Sequence, residues 1–466
     1  MPPTRLTIVQ EPLSGRRFFG LGVQADAYIY DDVNRRMGVG AEDLALFEAR
    51  LAALRPSLVR VFVPIDCFNP SFDAATYLWD RPEFRTLVRH LHNVRQAGAK
   101  ANVCMGPWTN HQMTREGMEA AAVELVDHLV RQEELHNVAW LCLFNEPDGI
   151  YAHDSDLWRS FFGDEALRKR PPWSEYVRKN LRAQELLEHR GLYPAVRLIV
   201  PDTVWGHPMR LERMRMAAAD FASLDAGYSY HNYEPEYAEY YADKPNYAYP
   251  GMAAEARMLR EIVGPGKEMI VWEFNNAGPG FGGFYPGTGP HGQDMIGSLE
   301  AAVKITEKVL AALGSGADGM CLWCLCDSYY NSGLKTGPMR FGLWRYKWED
   351  FQPRPYYYYY AALCRALRPG AQLHLVEPAD PNLPALAARQ GDNWHIPILN
   401  KAAAAARLQL QLPAAGAAAK LRVYPQRLPT NDRMPLDDWE PVSVNNRLVD
   451  LDLGPGELTI IRTGPA

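Results

Sequence analysis

The chain has 466 residues, with 49 Lys and Arg against 55 Asp and Glu and a formal net charge of −6. That balance supplies no basic footprint for nucleic acid. With 47% hydrophobic and 22% charged residues the chain is globular rather than disordered, and no run approaches the roughly 18 apolar residues of a membrane span.

Eight short apolar runs read as strands: FFGLGVQ (18–24), LVRVFV (58–63), ANVCMG (101–106), VAWLCLF (138–144), VRLIVP (196–201), AGYSYHN (226–232), EMIVWEF (268–274) and GMCLWCL (319–325). Several are almost continuously hydrophobic, as parallel strands covered on both faces must be. Amphipathic stretches lie between them. AEDLALFEARLAAL follows the first, and PEFRTLVRHLHNVRQAG follows the second and stops at Gly98. EGMEAAAVELVDHLVRQ follows the third, and SEYVRKNLRAQELLEHRG follows the fourth. AAEARMLREIV and SLEAAVKITEKVLAAL precede the last two strands. Strand–helix alternation of this length predicts a (β/α)8 barrel over 11–368.

Beyond that point QLHLVE, WHIPILN, RLQLQL, LRVYPQ, PVSVNN, RLVDLDL and LTIIR are short strand patterns broken by Pro, Gly and Asn. They predict a smaller all-β sandwich over 369–466, joined by an N-terminal strand from 4–10. KAAAAAR sits among these strands and reads as a loop. The YYYYY run at 356–360 suits the last barrel helix packed on the sandwich.

In such a barrel the chemistry gathers where strands end. The fourth strand runs into LFNEPDG, which places Asn145 and Glu146 at the mouth, and the seventh ends in VWEFNN, which places Glu273 there. Two facing carboxylates are what glycoside hydrolysis uses: one protonates the leaving oxygen, the other attacks the anomeric carbon or activates water.

N-E-P after strand four together with a Glu closing strand seven resembles the clan A retaining glycoside hydrolases, which are (β/α)8 barrels. The resemblance covers residues 18–365. Arg60 on strand two matches the Arg that family 5 members keep beside the nucleophile. His231 and Tyr233 in YSYHNY match a His-x-Tyr at strand six. Trp323 matches the Trp that floors the subsite of the cleaved sugar. A barrel followed by a sandwich resembles families 5, 30 and 39. GPWTNH, with Trp108 and His111, departs from the His of family 5 cellulases at strand three, while NEPD and E-F-N are closer to family 39.

The resemblance implies that Glu146 is the general acid/base, its pKa raised by an apolar wall and by the charge of its partner. It makes Glu273 the nucleophile, kept ionised by Arg60 and Tyr233, and gives Asn145 the sugar 2-hydroxyl. Carboxyl groups about 5–5.5 Å apart would mean retention of configuration. Trp108 and Trp323 are the expected stacking platforms. Trp205, Tyr151, Phe281, Phe284, Tyr285, Tyr329 and Tyr330 are further candidates, and the Gly-rich stretch 277–294 reads as a cover over the substrate. With 151–175 it suggests a pocket rather than an open groove.

Other signals carry less. Gly278, Gly280 and Gly283 form a G-x-G-x-x-G, but Pro279 interrupts it and no helix opens at the third Gly. There is no P-loop and no G-x-S-x-G elbow. The first strand lacks H-x-H and instead carries Gln24 and Asp26, suited to sugar hydroxyls. In CLWCLC, strand alternation puts Cys324 and Cys326 on one face and Cys321 on the other, so buried free thiols are expected. The expectation is therefore a retaining β-glycosidase of a β-linked oligosaccharide or glycoside. A transglycosylase with the same carboxylates and a non-catalytic carbohydrate-binding barrel are the alternatives. No metal or organic cofactor is required. Carbohydrate is the expected partner, nucleic acid and membrane are not, and assembly with further copies of the chain stays open. MPPTRLTIVQEPLSGRRFFG has neither an apolar h-region nor a small-residue cleavage site, which points to the cytoplasm.

Overall fold

A computed structural model describes residues 3–13, 17–71, 76–106, 115–152, 155–233, 249–276, 295–329, 338–413, 418–424 and 439–464. After β1 (Thr4–Ile8) come eight parallel strands: β2 (Gly20–Gln24), β3 (Leu58–Pro64), β4 (Lys100–Gly106), β5 (Val138–Cys142), β6 (Arg197–Thr203), β7 (Gly227–Asn232), β8 (Met269–Phe274) and β9 (Gly319–Leu322). They close in chain order, with β9 pairing back onto β2. Each is buried along nearly its whole length, which explains the unbroken apolar runs. A long helix follows every strand: Ala41–Leu54, Pro82–Gln96, Met118–Arg131, Trp173–His189, Met209–Asp220, Met252–Val263, Leu299–Ser315 and Pro355–Ala366.

The helix Met209–Asp220 has no counterpart in the sequence reading. Its sequence, MRLERMRMAAAD, shows little apolar periodicity because two of its core-facing residues are Arg210 and Arg213, 1% and 0% exposed. The tyrosine run forms the first turns of the helix Pro355–Ala366 and is entirely buried. Tyr360 donates to the Gly22 carbonyl at 2.5 Å, tying the helix to β2. Tyr359 donates to the Gly456 carbonyl at 2.7 Å, tying it to the terminal sheet.

That sheet holds β10 (Gln372–Glu377), β11 (Leu386–Gln390), β12 (Asn393–Leu399), β13 (Ala406–Gln411), β14 (Ala418–Tyr424), β15 (Glu440–Val442), β16 (Leu448–Leu453) and β17 (Leu458–Gly464). Its order is β15-β14-β17-β12-β11-β10-β1-β13-β16. All neighbours are antiparallel except β1 and β13. In β16 buried and exposed residues alternate, and Leu6, Ile8, Trp394, Ile396, Leu408 and Val449 meet in one apolar core separate from the barrel's. The KAAAAAR segment is a loop as far as Ala405, and β13 starts at Ala406.

The seven cysteines are all free and buried. Their expected faces in CLWCLC do not apply, because β9 ends at Leu322 and Cys324 and Cys326 lie beyond the alternating strand. Among the described residues no helix is long and apolar enough to cross a membrane.

Candidate active site

Seven side chains from five barrel strands and the turns after them converge at the C-terminal mouth. Arg60 projects from β3 with no exposed surface. Its Nη1 donates to Glu273 Oε1; its Nη2 donates to Asp202 Oδ2 at 2.6 Å and to Asn145 Oδ1 at 2.7 Å. Glu273, on β8, is 3% exposed and also accepts from the Tyr233 hydroxyl at 2.7 Å. Glu146 follows β5 in a left-handed conformation, φ 50°, and begins the turn Pro147–Gly149. Its side chain is 35% exposed, in contrast to Glu273. His231, on β7, joins the two carboxylates: its Nδ1 lies 3.0 Å from Glu146 and 3.5 Å from Glu273.

The turn that carries Glu146 is fixed from behind. Asp148 is fully buried and accepts from Arg213 Nε at 2.9 Å, Thr203 Oγ1 at 2.6 Å and the Val204 amide at 2.8 Å. Arg213 in turn lies between the rings of Trp158 and Trp173, 4.3 and 4.2 Å from their centroids. A guanidinium between two indole faces gains cation–π attraction on both sides.

Burial separates the electrostatics of the cluster. It raises the Glu273 carboxyl above its ordinary 4.5, against the pull of His231 and Arg60 and with the help of Glu146. Burial would also raise Asp202, but Arg60 and His231 hold it well below the usual carboxylate range. Burial would lower His231, yet Glu273 and Asp202 outweigh it and push the imidazole up to about 10. His231 is therefore an imidazolium at neutral pH, with a carboxylate facing each ring nitrogen.

The sequence-predicted residues divide as follows. Glu146, Glu273, Asn145, Arg60, His231 and Tyr233 come together. Trp323 follows β9 at the same mouth, 5% exposed, its ring 5.4 Å from Phe62 and its Nε1 donating to Met339 Sδ at 3.1 Å. Trp108, His111, Tyr330 and the stretch 277–294, with Phe281, Phe284 and Tyr285, lie outside the described residues. Tyr151 and Trp158 are fully buried: Tyr151 packs on Phe144 and Tyr176 in the core, and Trp158 packs on Arg213. Tyr329 packs on Tyr346 and Trp348, and Trp205 is half-buried. Gln24 and Asp26, read as suited to sugar hydroxyls, are bonded within the chain. Gln24 Nε2 donates to Asp26 Oδ1 at 2.7 Å and its Oε1 accepts from Arg60 at 3.3 Å, so the pair braces the arginine. Asp202 was not anticipated; the strand read from the sequence ends at Pro201, whereas β6 continues to Thr203.

Two groups bring metal-ligand atoms within 4.8 Å of one another: Glu146, His231 and Glu273, and Cys104, Cys142 and Asp202. In the first, both carboxylates face the imidazolium and Glu273 also holds Arg60. In the second, Arg60 donates to Cys104 at 3.2 Å and to Asp202. The cationic partners of both groups come from the chain itself, so their donor sets fit a hydrogen-bonded cluster better than a metal site.

No protein-family model and no curated protein sequence matches the chain. Solved structures do resemble it. A glycoside hydrolase family 30 subfamily 8 xylanase from Clostridium acetobutylicum superposes with a TM-score of 0.60 at 13% identity, over 99% of this chain and 100% of that one. An endo-β1,6-glucanase gives 0.67 at 14%, over 99% and 94%. A GH39 enzyme from Xanthomonas axonopodis pv. citri gives 0.59 at 14%, over 100% and 98%. At these identities the shared property is the fold: a barrel with an added sheet, matched over essentially whole chains.

Proposed function

We propose that the chain is a retaining β-glycosidase, with Glu146 as general acid/base and Glu273 as nucleophile. The observation that carries this reading is the unequal pair at the mouth. Glu273 is buried and held by Arg60 and Tyr233, while Glu146 is a third exposed. A buried, oriented carboxylate suits attack on carbon; an exposed one suits proton exchange with a leaving group and with water.

An oxygen of each carboxyl and a ring nitrogen of His231 lie within 4.8 Å of one another, which favours the short separation of retaining enzymes over the ~6.5–9.5 Å that leaves room for a water in inverting ones. In the first step Glu273 bonds to the anomeric carbon, the glycosidic C–O bond breaks, and the Glu146 proton passes to the leaving oxygen. In the second, Glu146 takes a proton from water, the water oxygen bonds to the anomeric carbon, and Glu273 leaves as a carboxylate. Asn145 is oriented by Arg60 through its carbonyl oxygen, which leaves its amide hydrogens to meet the sugar 2-hydroxyl. Trp323 would supply an apolar face to the same ring.

The test is a panel of aryl β-glycosides with β-xylan and β1,6-glucan oligosaccharides added, because structurally similar proteins are a xylanase and a β1,6-glucanase. Glu273→Gln and Glu146→Gln are expected to cut turnover by at least about a thousandfold. Azide is expected to restore Glu146→Ala with a β-glycosyl azide as product, since azide needs no base. A first-formed α anomer would show inversion and end the reading. Binding without cleavage by the wild-type chain would leave a carbohydrate-binding barrel, and transfer to added acceptor sugars in preference to water would make it a transglycosylase.

A further inference from the structure

We infer that Asp202 is a positioning residue that acts on both members of the carboxylate pair at once, through Arg60 on one side and His231 on the other. The inference rests on the reading of Glu146 and Glu273 as the reacting pair. Asp202 has no exposed surface and touches neither of them. Its Oδ2 accepts from Arg60 Nη2 at 2.6 Å and from Cys142 Sγ at 3.4 Å. Its Oδ1 accepts from the Ser229 hydroxyl and lies 3.2 Å from His231 Nε2. The far ends of the same two cations hold the pair: Arg60 Nη1 on Glu273, and His231 Nδ1 on Glu146 and Glu273. Both cations thus have one end on Asp202 and the other on a reacting carboxylate.

The backbone is shaped for this. Asp202 adopts φ 58°, a region open to Asp but unfavourable for most residues with a side chain. The pairing of β6 with β7 shifts register between Pro201 and Thr203, so the strand carries an extra residue there. Bulges of this kind re-aim a side chain, and here the side chain enters the barrel.

The chemical consequence concerns charge and rotation. A guanidinium is a flat fork, and fixing Nη2 fixes the direction of Nη1. An imidazole with a carboxylate at each nitrogen is held doubly protonated, which fixes it as a donor to Glu146 rather than an acceptor. The charged and titratable groups around Asp202 are Arg60 from β3, Cys104 from β4, Cys142 from β5, His231 from β7 and, one layer out, Glu273, Glu146 and Tyr233. Tyr176, from the helix Trp173–His189, reaches the neighbouring Pro201 carbonyl at 3.4 Å.

The experiment compares Asp202→Asn, near-isosteric and neutral, with the wild-type enzyme in two readouts. The first is the titration of the His231 ring by NMR on histidine-labelled protein. The wild-type ring is expected to stay protonated well above pH 8, and the Asn variant to titrate at least one pH unit lower. The second is kinetics on whichever aryl β-glycoside the wild-type enzyme cleaves, with kcat expected to fall about 10–100-fold and KM to change less than about threefold. Asp202→Glu is expected to recover part of the ring's shift. An unchanged His231 titration in Asp202→Asn, or a rise in KM with kcat intact, overturns the inference. If the Asn variant does not fold, the wild-type titration decides: a His231 midpoint below 7 overturns it. Loss of the glycosidase reading would show separately, as carboxylate variants that keep full turnover or a wild-type chain that cleaves nothing, while the ring titration still answers for Asp202.

Discussion

Replacing Arg213 by Met tests the clamp behind Glu146. Met keeps an unbranched apolar side chain but removes the guanidinium that lies over Trp158 and Trp173 and faces Asp148. Both partners are fully buried, so the substitution strands a carboxylate out of water. Breaking a buried pair in this way costs about 3–5 kcal/mol, far more than the roughly 0–1 kcal/mol of an exposed pair. Asp148→Asn alone keeps an oxygen for Thr203 Oγ1 and the Val204 amide, both of which use Oδ2, and turns an amide toward the guanidinium. In the double variant no charge remains to be stranded. It is expected to be more stable than Arg213→Met by about 2 kcal/mol, so the two substitutions couple strongly instead of adding. Equilibrium unfolding in urea, followed by tryptophan fluorescence, measures all three. Turnover by Arg213→Met is expected to drop as well, because Asp148 lies two residues from Glu146 in one tight turn. An Arg213→Met protein within about 0.5 kcal/mol of wild type, or strict additivity of the two changes, would refute the clamp.

Two further outcomes follow from buried groups. His231 is raised from 6.5 to about 10 on folding, so it contributes stability that is fully present below 6.5 and is lost as pH rises toward and through 10. Denaturant midpoints at pH 6.5, 8.5 and 10 should therefore fall more steeply for the wild-type chain than for His231→Gln, and parallel curves would count against the imidazolium. Tyr360→Phe deprives the Gly22 carbonyl of its 2.5 Å donor and should cost about 1 kcal/mol in the same unfolding assay, with no cost at all speaking against the tether between the last helix and β2.

What the sequence discloses and what it hides have physical reasons. The barrel strands are legible because burial on both faces demands unbroken apolar runs. Glu146 and Glu273 are legible because a charged residue at the end of such a run has few structural reasons to be there. The helix Met209–Asp220 is hard to read because Arg210 and Arg213 sit on its inward face beside Met209, Leu211, Met214 and Ala217, their charges met by Glu255 and Asp148. β11, LAARQ, is hidden for a similar reason, being short and without a β-branched or aromatic residue. Asp202 is hidden because the strand read from the sequence ends at Pro201, and only the register shift against β7 turns it inward. Gln24 and Asp26 are visible as polar residues on the first strand, but their partners, Arg60 for Gln24 and the Phe62 amide for Asp26, come from pairing with β3.

The position of β1 bears on how the molecule is made. It lies parallel to β13, Thr4 opposite Leu408 and Leu6 opposite Leu410, and antiparallel to β10, Ile8 opposite Val376. On a ribosome adding about 5–20 residues per second, roughly 20–80 s separate the synthesis of β1 from that of β13. For most of that interval Leu6 and Ile8 wait for their partners, because every strand of the barrel is made before Val376 of β10 and Leu410 of β13. Closure of the terminal sheet is thus a long-range event that waits for nearly the whole chain. A product that stops short of β13 would leave one edge of β1 without its parallel partner.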